Sequence, residues 1–284
     1  GVRRKRSSGL NHPHSGGFRG TMPHVMNALE SSPLEEAIAE DEDEKYIKTG
    51  DLIVFGSEEE GEPGLMASGT GFHEDDVVVT VGDRDQRCVF EVFPMTRYTA
   101  RKALKRVRRD KTSAIPSARD TLPTTVDASS LPASSGEVTV GVLNAEVEES
   151  SRAETVQNEA IHSQLEGKVV KYGQVIQLQH LHNGKWLAAR TKDCADLETD
   201  CAKVFLHKEG GSKCWFKLLP RTSGKSEGDK VAVGDQVVLQ HKKSGNMIHR
   251  SNMTNEAGDY EVNLATSLTV FTLAHSAAGG RRNL

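Results

Sequence analysis

Gly173-Gln174-Val175-Ile176-Gln177-Leu178 is one of three gapless versions of the same short stretch, the others being Gly50-Asp51-Leu52-Ile53-Val54-Phe55 and Gly234-Asp235-Gln236-Val237-Val238-Leu239. The glycine fits the turn that must precede each strand, because it accepts a positive φ without steric cost. Apolar residues two apart, Ile53 with Phe55, Ile176 with Leu178 and Val237 with Leu239, then point the same way from a pleated ribbon. Each copy has an apolar side that it cannot cover alone.

The likeness continues beyond these strands. Gly64-Leu65-Met66-Ala67, Gly184-Lys185-Trp186-Leu187 and Gly245-Asn246-Met247-Ile248 each predict a turn and a second strand, completing a hairpin. Val77 to Val79, Val204 to Leu206 and Glu261 to Leu264 predict third strands. The fourth strands read Cys88 to Pro94 and Cys214 to Pro220, each stopped by a proline, with Leu268 to Leu273 in that role in the last copy. Four short strands taken three times imply a closed or nearly closed all-β body, since repetition about an axis lets every unit bury its apolar side against the next. The expected boundaries are a polar tail over 1–44, a domain over 45–274 and a second tail over 275–284. Within the domain, repeat 1 covers 46–94, repeat 2 covers 168–220 and repeat 3 covers 228–273.

Repeats 1 and 2 are separated by a far longer interval, Pro94 to Gly173, than repeats 2 and 3, Pro220 to Gly234. The extra chain, 95–167, predicts a projecting pair of helices. Tyr98 to Arg109 is rich in helix formers, and Arg97, Arg101, Lys105 and Arg108 recur at spacings that align them on one face. That row fits an acidic partner or a phospholipid headgroup, and equally a plain solvated face. A Ser/Thr/Pro-rich stretch over 110–150 predicts a flexible tip. Ser151 to Leu165 predicts the second helix, with Val156, Ala160 and Ile161 at helical spacing and Ser151 with Glu154 as a capping box.

Composition and motifs exclude several classes. Only 36% of the chain is hydrophobic and 27% is charged, which suits one core with long polar additions. The formal net charge of -4 argues against a general nucleic-acid surface. No apolar run approaches the roughly 20 residues that span a bilayer. Gly1 in place of Met suggests a fragment, and the basic start around Arg3-Arg4-Lys5-Arg6 is not a secretory leader. That cluster reads as a solvated tail, or as a nuclear or anionic-surface address. Glu40 to Glu44 lacks the ligand alternation of a calcium loop. No phosphate-cradling loop, nucleophile elbow or dinucleotide fingerprint is present, so no catalytic residues, cofactor or metal site is expected. The four cysteines, Cys88, Cys194, Cys201 and Cys214, lack paired zinc spacing and predict reduced core thiols.

Ile47-Lys48-Thr49-Gly50-Asp51, Phe93-Pro94-Met95-Thr96-Arg97-Tyr98-Thr99-Ala100, Tyr172 through Leu181 and Val233 through Leu239 carry a further signal. From about Tyr46 to Leu273 the chain resembles the N-terminal suppressor β-trefoil of inositol 1,4,5-trisphosphate receptors and, more distantly, its ryanodine receptor counterpart. Ser226 to Val231 looks closer to the ryanodine receptor form. The resemblance implies a β-trefoil of twelve strands with an inserted helical arm. It also implies a regulatory module on the cytosolic face of the endoplasmic reticulum or another calcium store, in a homotetrameric calcium release channel. Its implied partners are the neighbouring ligand-binding core, whose affinity it lowers, and adjacent subunits. Membrane association would come only through regions downstream, and the chain alone would neither bind the trisphosphate tightly nor conduct ions. His182, Asn183, Lys185 and Trp186 match a family loop that touches the adjacent subunit. Trp186 reads as an interface anchor or, because the aligned Leu65 and Met247 are also apolar, as a core residue. The rival is a carbohydrate-binding or mannosyltransferase-type trefoil module, which the 5% aromatic content and the missing Gln-x-Trp signature disfavour.

Overall fold

The computed structural model describes residues 45–59, 62–68, 73–81, 86–113 and 135–276. The expected N-terminal tail with Arg3 to Arg6, the acidic run Glu40 to Glu44, the centre of the arm's tip and residues 277–284 lie outside them.

Twelve strands follow one another as β1 (Leu52–Glu59), β2 (Glu62–Ser68), β3 (Val77–Thr80), β4 (Phe90–Pro94), β5 (Val175–His180), β6 (Trp186–Cys194), β7 (Ala202–His207), β8 (Phe216–Pro220), β9 (Gln236–His241), β10 (Met247–Thr254), β11 (Tyr260–Ala265) and β12 (Phe271–His275). Helices α1 (Thr99–Ser113) and α2 (Ser135–Leu165) stand between β4 and β5. The first and fourth strands of each repeat close a barrel through the antiparallel pairs β1 with β4, β4 with β5, β5 with β8, β8 with β9, β9 with β12 and β12 with β1. Closure leaves the barrel without an open edge. The hairpins β2–β3, β6–β7 and β10–β11 form its cap, where β11 pairs with both β3 and β7, and Asp76 bridges to Phe205. The chain is a β-trefoil with an inserted helical arm.

The three glycines do what the repeat requires. Gly50, Gly173 and Gly234 have φ of +90, +78 and +84°, and their N–H groups donate to Val92, Leu218 and Leu273 of the fourth strands at 2.8, 2.9 and 2.7 Å. One residue on, Asp51, Gln174 and Asp235 accept side-chain bonds from the N–H of Lys48, Lys171 and Ala232. Immediately before these turns lies a feature that hydrophobic alternation does not announce. Ile47 N–H donates to Val231 C=O, Val231 N–H to Val170 C=O, and Val170 N–H to Ile47 C=O, at 2.9, 3.0 and 2.8 Å. These bonds form a closed triangle across the barrel floor, and all three side chains are fully buried.

Ile53, Phe55, Ile176, Leu178, Val237 and Leu239 meet in the central core, as their spacing predicts. Phe55 makes edge contacts with Phe90 and Phe271 at centroid separations of 6.0 and 6.1 Å, the geometry aromatic rings favour.

Several local expectations change. Gly64 lies inside β2, opposite Ser57, and makes no turn. Its role is close approach, since a Cβ there would stand 2.4 Å from Val79 Cγ1. Cys88 and Cys214 close short 3-10 turns before β4 and β8, and the last strand begins at Phe271, after Leu268. All four thiols are free, but only Cys88 and Cys214 are buried; Cys194 is exposed and Cys201 half-buried.

The arm also differs from its sequence reading. α2 begins at Ser135, sixteen residues before Ser151, so its described part and that of α1 extend into the tract 110–150. Ser151 is an interior, buried helix residue, and Glu154 caps the other helix, accepting from Ala100 N–H at 2.9 Å and Arg101 N–H at 3.1 Å. A carboxylate at a helix N-terminus satisfies donors that have no partner within the helix. Val156 is 64% exposed and Ala160 is exposed, so of the expected apolar row only Ile161 is half-buried.

Candidate functional site

The β5–β6 turn is held from inside by His180, which is fully buried. Its Nε2 lies 2.8 Å from the Arg87 carbonyl and 3.0 Å from Ser68 Oγ, and its Nδ1 lies 3.0 Å from Asn183 Oδ1. The ring therefore ties the turn of repeat 2 to two elements of repeat 1. Asn183 Oδ1 also accepts from Lys185 N–H at 3.0 Å, Gly184 N–H donates to the His180 carbonyl at 2.9 Å, and Gln179 Nε2 donates to the Gly184 carbonyl at 2.8 Å. Gly184, with φ +66°, supplies the left-handed residue such a turn needs.

Lys185 turns outward to the β2–β3 connection, where its ammonium pairs with Asp75 and lies 4.0 Å from Glu74. The bond to Asp75 holds its pKa above the ordinary lysine value. His182 is exposed at the tip. Trp186 is half-buried, as are the aligned Leu65 and Met247, and none of the three belongs to the central core. Its ring meets Phe93 edge-on at 5.0 Å, and Phe93 stacks on His162 of α2 at 4.8 Å. Trp186 thus occupies a seam between the turn and the arm's root, next to Phe205 and Cys214. Burial pushes the Cys214 thiol up to about 12, so it is inert at neutral pH.

The basic row of the arm is divided by the structure. Arg97 precedes α1, and its backbone N–H and C=O are both bonded by the Asn158 side chain, at 2.9 and 2.8 Å. Arg101 is half-buried, Lys105 pairs with Glu209 of the β7–β8 connection, and Arg108 pairs with Glu148 of α2 at 3.4 Å. The arm's root is anchored by buried Gln177, whose Oε1 accepts from Thr96 N–H and Oγ1 at 3.1 and 2.7 Å and whose Nε2 donates to Tyr98 Oη at 3.0 Å. These anchors were missed in the sequence because Gln177 occupies an outward strand position. The sequence offers no clear signal for it, since Gln177 is one of three polar residues in β5, with Gln179 and His180.

Among the described residues there is no group of side chains suited to a metal ion, and no helix long and apolar enough to cross a membrane. The chain matches the family described as inositol 1,4,5-trisphosphate/ryanodine receptor over residues 42–282. It is similar to inositol 1,4,5-trisphosphate receptor-like protein A of Dictyostelium discoideum, with 28% identity over 277 aligned residues, covering 84% of this chain and 8% of that protein. It is also similar to the inositol 1,4,5-trisphosphate receptor itr-1 of Caenorhabditis elegans, with 29% identity over 86 residues, covering 30% of this chain and 3% of that protein. The chain therefore spans a small part of the length of these relatives.

Proposed function

Because this chain belongs to the inositol 1,4,5-trisphosphate/ryanodine receptor family, we propose that it is the N-terminal regulatory module of a trisphosphate receptor-type calcium release channel. It acts on the cytosolic face of the endoplasmic reticulum or another store membrane, lowers the affinity of the adjoining ligand-binding core, and couples binding to gating through contacts between the four subunits. It has no reaction to catalyse in this role.

The observation that carries this reading is the β5–β6 turn. A contact can report a change of state only if its own geometry is fixed, and this turn is braced by His180, Asn183 and the Lys185–Asp75 pair. His182, Asn183, Lys185 and Trp186 are the surface offered to the adjacent subunit. Coupling requires that this contact differ in free energy between resting and activated tetramers, because equal contact in both states shifts nothing.

The test compares trisphosphate binding by the parent channel's ligand-binding core with and without this module attached. Removal is expected to tighten binding about tenfold, a typical size for a coupling between sites. Equal affinities would refute the regulatory role. In the intact channel, Trp186→Ala is expected to shift the ligand concentration needed for opening, and an unchanged dose response would remove the turn from the mechanism. Calorimetry on this chain alone should detect no micromolar trisphosphate binding.

A further inference from the structure

Cations from three separate elements gather beside the root of the arm. α1 contributes Arg101 and Lys105, β6 contributes Arg190, and the β7–β8 connection contributes Lys208 and Lys213. The Arg190 guanidinium lies over the Phe205 ring at 4.4 Å, and the Lys213 ammonium lies over the same ring at 5.3 Å. His207 meets Phe205 edge-on at 5.9 Å and accepts, at Nδ1, the N–H of Glu209 at 3.0 Å. The connection is pinned to the arm at Gly210, where a Cβ would stand 2.0 Å from the Tyr98 hydroxyl. Packing therefore fixes the course of the connection, and the Phe205 ring holds Arg190 and Lys213, while the Lys105 and Lys208 side chains reach into solvent.

The negative charge available is smaller. Glu209 pairs with Lys105, and Asp193 pairs with Arg190 at 2.7 Å. Among the described residues, Arg101, Lys208 and Lys213 have no carboxylate within ion-pair distance. The crowding is felt by its members. Burial, then Lys213, Lys105, Arg190 and Lys208, push His207 down to about 4, and burial with neighbouring cations lowers Lys105 and Lys213 as well. Like charges held together in this way are relieved when an anion binds among them.

We propose that Arg101, Lys105, Arg190, Lys208 and Lys213 form a docking surface for an extended acidic peptide segment of a partner protein, with Glu209 as the resident competitor for Lys105. The shape favours a peptide over a single compact anion. Arg101 and Lys105 are one helical turn apart, about 6 Å along α1, and Lys208 and Lys213 flank them from another element. Carboxylates on alternate residues of an extended chain fall about 7 Å apart on one side, which matches such spacing. Glu209 already shows that a carboxylate borne on the backbone of a connecting segment seats on Lys105. The surface adjoins the turn at Trp186, which pairs with His207 and packs beside Phe205, but it uses none of His182, Asn183, Lys185 and Trp186, so its failure would leave the proposed subunit contact standing.

The experiment titrates the full chain into a fluorescent peptide of alternating glutamate and serine at low ionic strength, read by anisotropy. Lys208→Glu with Lys213→Glu should weaken binding about tenfold or more. Lys102→Glu with Arg106→Glu, an equal change of net charge at exposed positions on α1 outside the cluster, should change it less than about twofold. Glu209→Gln should tighten it about threefold, because the competing carboxylate is gone. The proposal is overturned if both reversals weaken binding equally, if Glu209→Gln leaves affinity unchanged or lower, or if phosphatidylserine vesicles bind and the peptide does not.

Discussion

The β5–β6 and β9–β10 turns share one backbone plan and differ in what they touch. His241, Ser244, Gly245 and Gln240 repeat the parts played by His180, Asn183, Gly184 and Gln179. His241 N–H donates to the Asn246 carbonyl at 2.8 Å, Gly245 N–H to the His241 carbonyl at 2.9 Å, and Gln240 Nε2 to the Gly245 carbonyl at 2.9 Å. Even the ring beneath is kept, with Phe216 at 5.4 Å from His241 and Phe90 at 5.3 Å from His180. Outward contacts separate the two. His241 Nε2 is buried without a hydrogen bond, whereas His180 Nε2 reaches both Ser68 and Arg87. Lys185 crosses to Asp75, and Trp186 stands where the other turn has Met247. The fold ties both turns to the preceding repeat, through Leu181 N–H to the Val89 carbonyl and Lys242 N–H to the Trp215 carbonyl, each at 2.9 Å, but only the β5–β6 turn adds the bond to Ser68 and the ion pair with Asp75.

The most damaging way to probe that contrast is to remove the two rings. His180→Ala should lower stability in urea unfolding by about 3 kcal/mol, through lost packing and orphaned polar partners. His241→Ala should cost about half as much, since its Nε2 bonds nothing. Equal losses would mean that the cross-repeat bonds of His180 contribute nothing net.

Acid offers a second probe. Burial, then Lys243, lower the His241 pKa, and His207 is pushed down to about 4. Both rings are neutral in the native state, while the unfolded chain takes up protons from about pH 6.5 downward. Stability contributed by these rings is therefore present above pH 6.5 and lost as pH falls towards 4, by about 1–2 kcal/mol after allowance for solvent screening. Urea midpoints at pH 7 and pH 5 measure the loss, and His207→Gln should flatten it.

Asp75→Asn removes the ion pair of Lys185 while keeping its shape. The pair is partly exposed, so stability should fall by less than about 1 kcal/mol, whereas ligand sensitivity of the intact channel should change if the turn is the subunit contact. Asn183→Ser, which installs the acceptor used at Ser244, should alter stability by less than about 0.5 kcal/mol. A larger loss would show that the two turns are less alike than their hydrogen bonds.

The barrel was legible in the sequence because its determinants are local. A glycine that must take positive φ and apolar residues two apart recur at Gly50, Gly173 and Gly234, and these are the residues that form the turns and fill the core. The arm was less legible because its determinants cross between segments. Glu154 sits three residues after Ser151, as a capping box does, yet it caps α1, a choice that depends on where the two helices lie in space. Arg97 fits the helical spacing of Arg101 and Lys105, but Asn158 holds its backbone outside the helix. Gly64 aligns with turn glycines for a different reason, the nearness of Val79. The repeat located the turn at Gly184 and the resemblance singled out His182, Asn183, Lys185 and Trp186, but the bracing by Ser68, Arg87 and Asp75 was not legible, since those partners come from another copy.

The triangle of bonds joining Ile47, Val170 and Val231 has a consequence for biosynthesis. Its corners are drawn from the beginning, middle and late part of the described chain, so the floor is sealed only after the ribosome has released all three. Contacts so distant along the polymer make for slow acquisition of structure. The nascent first repeat must therefore wait, with Ile47 and its apolar strands uncovered, until Val231 has emerged.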